Sequence, residues 1–486
     1  ITSFQKLISS LQFYTCTFLF FVCLANVGAQ KAANNWIFGD FGLHFHEDSV
    51  TVSREFAEFS HQGGSSYTNE DGELLLYTDG LTVWNKNHQI MEDGSIFELG
   101  NSIQIVESMV VKNPGFDNLY YIFTLYPSNS QESSGLYYAI VDMNLNNGLG
   151  GVVEKRQKFL DDLTNKFDAI YNKEEAFFWL MTQSNATGDY IATKIDYEGI
   201  QAEYVVNNIG ADLKSSFAGQ LKFSPDGKMV ACSFGDYDFP EYNVFDVFDF
   251  NITTGVLSNS LTFSLPEDRA CDGIEFSSDA TKLYIQQSGS TGESGLYQLD
   301  LATYPAINQD NISLVARDEI ASFNQMQLAP DGKIYIGGSI QYNHLHVIHN
   351  PDCKGLLANL EQYAIRLNEF PQFCALGVPH LPHYRNQPQD INCDTVNIVN
   401  TISTELNNNI SIYPNPVEEF LTVELEDNIS KLSRIKIASI LGQEIMSVDL
   451  ADMQDSNIQI PMSSFNSGMT IDKSIRPVYA KMHFSF

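Results

Sequence analysis

The stretch FSPDGKMVACSF, from Phe223 to Phe234, joins a polar turn to a short apolar run, and close variants of it recur along the chain. FSSDATKLYIQQ begins at Phe276, and LAPDGKIYIGGS begins at Leu328. Asp, Gly and Pro tolerate or preset the dihedral angles of tight turns, and short runs rich in β-branched and aromatic residues favour strands. Each copy therefore predicts a β-hairpin.

Six apolar runs follow polar turns in this way, about 50 residues apart. The turns contain Asp71, Asp117, Lys173, Asp226, Asp279 and Asp331. A second apolar strand follows most of these turns about twenty residues later, and a unit of this length with four short strands is typical of a β-propeller blade. A helical solenoid is the competing repeat architecture, but the chain lacks the 3.6-residue period that it requires.

The two ends of the repeated region predict one further blade. NNWIFGDFGLHF begins at Asn34, and FCALGVPHLPHYR ends at Arg385. A ring of blades must join its ends, since its first and last sheets would otherwise expose unpaired strand edges. We therefore expect the segment around Trp36 to pair with the last blade. The predicted fold is all-β, with a seven-bladed β-propeller over residues 30–385.

Length and charge narrow the class of protein. The 486 residues exceed one ordinary domain, and the formal net charge is −33. A field of this sign repels nucleic acid and anionic lipid. Calcium, cationic partners or solubility outside the cell fit this charge better.

The N-terminal residues 1–29 predict a signal peptide. One basic residue precedes an apolar run that ends in small residues, which places cleavage between Ala29 and Gln30. The run barely approaches the length of a membrane span and lacks a stop-transfer pattern, so we expect no transmembrane anchor. Export permits disulfides among the five remaining cysteines, and Cys353 with Cys374 is the predicted pair.

The repeated region resembles a known group of proteins. LKFSPDGK, FDFNITTGVLSN, IEFSSDATKLYI and GVPHLPHYR together resemble the secreted propeller proteins of the Bacteroidetes, which are exported by type IX secretion. The resemblance implies architecture and destination, and it implies no particular chemistry.

A polar linker over residues 386–409 leads to a second domain over residues 410–486, whose period-2 strands predict a small immunoglobulin-like β-sandwich. Three of its short elements resemble the type A C-terminal sorting domain of the same secretion system; beyond them the tail departs from that pattern. The elements are Tyr413, Pro414, Asn415 and Pro416; Leu441, Gly442 and Gln443; and Ser467 and Gly468. The resemblance implies the type IX machinery as partner and a route through the periplasm to the medium or the outer cell surface.

Candidate metal ligands occur in two settings. Asp236, Asp238 and Glu241 offer the hard oxygen ligands that Ca²⁺ prefers, but they lack the full spacing of a calcium loop, and a solvated acidic loop is the plainer explanation. No other cofactor is expected. Histidines are paired at His44 and His46, His344 and His346, and His380 and His383, but each pair needs a third ligand to hold a metal.

No GxSxG, HExxH or P-loop motif occurs in the chain. We therefore expect a non-catalytic binding or adhesion module for a surface protein or a glycan. The alternatives are an extracellular hydrolase or lyase with its site at the propeller mouth, and a passive structural part of an envelope complex. Three or more converging catalytic groups in an axial pocket favour the enzyme, and a filled mouth favours the binder.

Overall fold

The structure is a computed structural model. It describes residues 33–39, 41–46, 49–54, 56, 64–97, 107–126, 135–211, 219–235, 243–265, 270–288, 294–318, 323–338, 344–367, 377–384 and 393, together with the strand backbone of the C-terminal part. The chain divides into two compact units, residues 1–396 and residues 397–486. The predicted signal peptide, with Ala29 and Gln30, lies outside the described residues.

Strands make up nearly all regular structure of the first unit. They are β1 (Asn35–Phe38), β2 (Phe41–Phe45), β3 (Val50–Ser53), β4 (Ser65–Thr68), β5 (Leu74–Thr78), β6 (Thr82–Asn85), β7 (Ile90–Ser95), β8 (Glu107–Lys112), β9 (Leu119–Tyr126), β10 (Gly135–Asp142), β11 (Gly151–Asp161), β12 (Leu163–Asn172), β13 (Phe177–Ser184), β14 (Tyr190–Asp196), β15 (Gly199–Asn207), β16 (Leu221–Phe223), β17 (Met229–Ser233), β18 (Val244–Asn251), β19 (Val256–Ser264), β20 (Ala270–Phe276), β21 (Lys282–Ser288), β22 (Ser294–Asp300), β23 (Ile312–Asp318), β24 (Met326–Leu328), β25 (Ile334–Ile336), β26 (His344–Ile348) and β27 (Leu360–Arg366). Short 3-10 helices span Asn146–Gly148, Gln309–Asn311 and Gly355–Ala358.

These strands form small antiparallel sheets in a propeller-like arrangement. Strands β12–β15, β16–β19, β20–β23 and β24–β27 each form a four-stranded sheet in sequence order, and β1–β3 form a three-stranded sheet. Strands β4–β11 form an eight-stranded sheet in the order β4-β5-β6-β7-β11-β10-β9-β8. The repeated apolar runs are the second strands of these units, such as β17, β21 and β25. The predicted all-β class and repeat are therefore confirmed.

The hydrophobic core lies between neighbouring sheets. Trp179 of β13 and Phe223 of β16 both contact Phe250 of β18, with ring centroids 6.4 and 4.9 Å apart. Strand β13 is buried along almost its whole length. A sheet covered on both faces buries both sets of side chains, which is why the second strands read as continuous apolar runs instead of alternating ones.

The sheet β1–β3 packs against the last four-stranded sheet. Trp36 of β1 and Phe45 of β2 contact Tyr335 of β25, with ring centroids 5.5 and 5.4 Å apart. Strand β1 pairs with β2, however, and not with a strand of β24–β27. The expected pairing of the Trp36 segment is therefore corrected to side-chain packing, since β24–β27 already supply four strands of their own.

Residues 377–384, here named the closing segment, join distant parts of this unit. The His380 N–H donates to the Gly64 carbonyl at 2.9 Å, and the His380 carbonyl accepts from Ser65 Oγ at 2.8 Å. At its other end the His383 N–H donates to the Ala169 carbonyl, and Tyr171 N–H donates to the His383 carbonyl, both at 2.7 Å. The closing segment therefore links the start of β4 to β12.

The predicted disulfide between Cys353 and Cys374 is wrong. Cys353 bonds to Cys393, whose Cα lies 5.5 Å from its own, a separation that a disulfide requires. Nearness along a loop-rich segment suggested Cys374, but the fold places Cys393 beside Cys353 instead. Cys374 lies outside the described residues, and Cys232 and Cys271 are buried free thiols.

The second unit contains two three-stranded antiparallel sheets. Its strands are β28 (Ile410–Tyr413), β29 (Phe420–Leu425), β30 (Arg434–Ala438), β31 (Glu444–Asp449), β32 (Asn457–Pro461) and β33 (Lys481–Ser485). The sheet orders are β28-β29-β32 and β31-β30-β33. Strands β29 and β30 correspond to the period-2 runs that the sequence places at residues 421–425 and 435–439. In the described part of the chain, no helix is long and apolar enough to cross a membrane.

Candidate functional site

Polar side chains from the first strands of successive sheets meet in the interior of the propeller-like unit. Lys222 Nζ of β16 lies 2.7 Å from Gln327 Oε1 of β24 and 3.4 Å from Glu275 Oε2 of β20. Together with Asp168 of β12 and two histidines of the closing segment, they form what we name the axial cluster. Its members are Asp168, Lys222, Glu275, Gln327, His380 and His383. All of these side chains except His380 are buried.

Asp168 is the link between the closing segment and the sheets. His380 Nε2 lies 3.4 Å from Asp168 Oδ1, and His383 Nε2 lies 3.2 Å from Oδ2. The backbone N–H of Phe223 also donates to Oδ2 at 2.8 Å. Burial by itself raises the pKa of the Asp168 carboxyl, but the two histidines and Lys222 outweigh it and hold that pKa well below its usual range. The carboxylate is therefore charged.

His383 shows the complementary shift. Complete burial lowers its pKa, but the attraction of Asp168 is stronger in total, with Glu275 adding to it, and the net pKa lies above its ordinary value. The imidazolium and the carboxylate therefore stabilise each other in the interior, and the pair fastens the closing segment to β12.

The Glu275 carboxylate accepts hydrogen bonds from backbone N–H groups. Its Oε1 accepts the Phe276 N–H at 2.9 Å, and its Oε2 accepts the Leu328 N–H at 3.0 Å as well as facing Lys222. Gln220 Oε1 similarly accepts the N–H groups of Ile274 and Met326, each at 3.2 Å. These side-chain oxygens of Glu275 and Gln220 therefore help to join one sheet to the next.

Lys166 precedes Asp168 by two residues in β12 and is also buried. Its ammonium lies 5.2 Å from the centre of the Phe234 ring, and burial lowers its pKa to about 8. Gly219 makes room for this side chain, because a Cβ there would lie 3.0 Å from Lys166 Cε and would strike the Ser233 carbonyl. The backbone of Gly219 also has φ +113°, which disfavours any other residue.

A cavity of about 480 Å³ lies elsewhere, beside the sheet β1–β3. We name it the β1–β3 cavity. It is lined by Asn34, Asn35, His44, Phe45, His46, Thr51, Asp71 and Gly72. The register of the sheet places Asn35, His44 and Thr51 side by side in one row across its three strands. The turn between β4 and β5 adds Asp71 and Gly72.

Hydrogen bonds fix the orientation of two of these side chains. Asn35 Nδ2 donates to Thr68 Oγ1 at 3.2 Å and to the Gly72 carbonyl at 3.1 Å, which leaves Asn35 Oδ1 as the acceptor facing His44 Nδ1. The proton of His44 is therefore on Nδ1. Partial burial, followed by the nearby His46 and His88, lowers the pKa of His44, so its imidazole is neutral at pH 7.

The three histidine pairs lie in different surroundings. His44 and His46 line the β1–β3 cavity, while His380 and His383 both face Asp168. His346 is buried against Phe323, and its Nδ1 accepts the Tyr363 N–H at 3.2 Å. No group of three or more His, Cys, Asp or Glu side chains among the described residues is arranged to hold a metal ion. The predicted calcium ligands Asp236, Asp238 and Glu241 lie outside those residues.

Sequence reasoning missed the axial cluster, although a signal was present. Lys222 stands in LKF, Glu275 in IEF and Gln327 in MQL, each between two apolar residues at the end of a strand just before the repeated turn. A polar residue at the same phase of successive repeats indicates positions that share one environment. The structure shows that this environment is the interior where the first strands meet.

Comparison with known proteins identifies the C-terminal part. Residues 411–472 match the secretion system C-terminal sorting domain, and this span contains every sorting-motif residue from Tyr413 to Gly468. The chain therefore carries a type IX sorting domain, interacts with the type IX secretion machinery, and is exported across the outer membrane to the cell surface or the medium.

Solved structures resemble the propeller-like unit at low identity. A Lactobacillus plantarum protein has 11% identity and a TM-score of 0.44, covering 71% of this chain and 99% of its own. A candidate 6-phosphogluconolactonase from Bacteroides fragilis has 12% identity and a TM-score of 0.43, covering 71% and 96%. A periplasmic gluconolactonase from Pseudomonas aeruginosa has 12% identity and a TM-score of 0.35, covering 62% and 93%. No curated protein matches the chain in sequence.

Proposed function

We propose that this protein is a secreted or surface-displayed propeller that binds a surface protein or a glycan without transforming it. The observation that carries the proposal is the state of the axial cluster. Its carboxylates accept backbone N–H groups and pair with charged side chains of the same fold. Groups engaged in this way hold sheets together and offer nothing to a substrate.

A catalytic site needs accessible polar groups around a pocket. Asp168 and Glu275 are fully buried, and the closing segment occupies the space where a substrate would have to reach Asp168. The β1–β3 cavity, by contrast, is lined mainly by half-buried and exposed polar residues, with Asn35 and Phe45 buried behind them, and has the volume of a small-ligand pocket. These two observations favour binding at the cavity over catalysis at the axis.

The architecture that we propose for the binder has seven blades. The eight-stranded sheet divides into β4–β7 and β8–β11, which are joined by a single parallel bridge between Gly151 and Glu92. Strands β1–β3 would form the seventh blade together with the closing segment, whose Val378 and Leu381 pack in the same hydrophobic cluster as Trp36. The linker over residues 386–409 would then lead to an immunoglobulin-like sorting domain over residues 410–486.

The proposed export route has two steps. The signal peptide over residues 1–29 would be cleaved between Ala29 and Gln30 on entry to the periplasm. The elements around Tyr413, Leu441 and Gly468 would then be read at the outer membrane. A Bacteroidetes source fits this route and the resemblance of the repeated blocks.

The rival hypothesis is an extracellular hydrolase or lyase, and the convergence of Asp168, His380 and His383 favours it. The test is to assay the mature protein against chromogenic glycosides, esters and lactones, and in parallel for saturable binding to arrayed glycans and purified surface proteins. We expect binding without turnover. Turnover by the native protein that is lost in the Asp168→Asn variant would overturn the proposal. The variant must keep the native circular dichroism spectrum and a cooperative unfolding transition, so that the loss cannot be due to misfolding.

A further inference from the structure

We propose that the β1–β3 cavity binds a cationic side chain, the ammonium of a lysine or the guanidinium of an arginine, presented by a partner protein. This inference rests on the proposed binding function and names the ligand class of its site. It follows from which hydrogen-bonding groups the cavity offers and from their charge.

Two side chains of the cavity, His44 and Asp71, present acceptors to it. Because His44 Nδ1 carries the proton shared with Asn35, its Nε2 carries a lone pair. The donor protons of the Asn35 amide are used by Thr68 and Gly72 within the fold. Asp71 adds a carboxylate, which can only accept when it is ionised. A ligand that donates hydrogen bonds complements these two acceptors.

The cavity also lacks a positive partner of its own among the described residues. Asp71 is the single carboxylate in its lining, no lysine or arginine lines it, and no described ion pair involves Asp71. Glu70 and Glu73 flank Asp71 in the same exposed turn. The potential at this turn is therefore negative, and it favours a cation.

The field of the whole protein acts in the same direction. The formal net charge of −33 attracts cationic partners and steers them toward the surface. An anionic ligand would meet the carboxylates of the turn at short range. A neutral saccharide would gain nothing from the charge, so its binding would not depend on salt.

Isothermal titration calorimetry of the mature full chain tests the inference. The probes are the capped peptides Gly-Gly-Lys-Gly-Gly and Gly-Gly-Arg-Gly-Gly, with the Nε-acetylated lysine peptide as the neutral counterpart of the first. We expect acetylation to weaken binding at least about tenfold, and Asp71→Asn to weaken it about fivefold, as loss of one partly exposed charge pair predicts. Raising NaCl from about 0.05 to 0.5 M should weaken it further, because salt screens exposed charges.

The matched control is Glu198→Gln, which removes an exposed carboxylate from the turn between β14 and β15, outside the cavity lining. It should leave the affinity for the lysine peptide unchanged. Equal binding of the acetylated peptide, equal loss in both variants, or no binding of either basic peptide would overturn the inference. If a glycan or surface protein still binds and Asp71→Asn leaves that binding intact, the proposed binding function stands. Only the inference that the ligand is a cationic side chain is then wrong.

Discussion

The axial cluster and the β1–β3 cavity contain the same kinds of side chain in opposite circumstances. In the axial cluster, His383 is buried beside a carboxylate, and its pKa is raised. In the cavity, His44 is half-buried beside other histidines, and its pKa is lowered. Residue type therefore does not decide what a histidine does in this protein; the charge of its neighbours and its exposure decide it.

The same contrast holds for the acids. Glu275 is buried and accepts two backbone N–H groups from different sheets, whereas Asp71 is exposed in a turn. Removing a buried acid such as Glu275 should lower the free energy of unfolding. Removing an exposed acid such as Asp71 should affect ligand binding alone.

Glu275→Gln should have the largest effect on stability. It leaves Lys222 buried without its charged partner and removes an acceptor for either Phe276 or Leu328, and such breaks in a buried ion pair cost about 3–5 kcal/mol. Urea unfolding followed by circular dichroism measures the loss, with Glu198→Gln as the exposed control. A loss below about 1 kcal/mol would show that the axial cluster does not hold the sheets together.

Cys393→Ser should have the next largest effect. The disulfide closes a loop of 40 residues between Cys353 and Cys393, and chain-entropy arguments assign it about 2–4 kcal/mol. The closing segment lies inside this loop, so its hold on Asp168 should weaken too. Thermal unfolding under non-reducing conditions measures the change, with Cys374→Ser as the control that should be nearly neutral. The reverse ranking of the two serine variants would refute the Cys353–Cys393 pairing.

His383→Gln should destabilise the fold in a pH-dependent way. The pKa of His383 in the folded protein is raised above its unfolded value of about 6.5, so its stabilisation is fully present below pH 6.5 and is lost as the pH rises through the folded pKa. The difference in unfolding free energy between native protein and variant should therefore shrink from pH 5 toward pH 9. A difference that stays constant over this range would mean that the His383–Asp168 pair carries no charge.

Asp71→Asn should have the smallest effect on stability. The side chain is exposed, and the backbone N–H of Asp71 keeps its bond to Asn69 Oδ1 at 3.0 Å. Surface changes of this kind stay within about 0.5 kcal/mol. Denaturant midpoints of the native protein and the variant should coincide. A clear destabilisation would mean that Asp71 stabilises the fold as Glu275 does. The contrast between the cavity and the axial cluster would then be wrong.

Much of the fold was predictable because its signals are local. The turn at Asp226 and Gly227 and the run that follows it predict a hairpin without reference to the rest of the chain, and repetition extends this prediction to the other units. The histidines of the cavity and of the closing segment were also visible as pairs. Their separate roles were not visible, because Asp168 lies more than 200 residues before His380.

The sequence by itself determined the strands, the turns and the sorting signal, because each depends on residues a few positions apart, and it determined the repeat because the same local pattern recurs along the chain. The tertiary structure alone decided that Lys222 meets Glu275, that Cys353 bonds to Cys393, and that His44 lines a cavity while His383 is buried. The physical reason is that pairing, burial and pKa depend on distances in space. Those distances are set only when the sheets pack and the closing segment reaches β12.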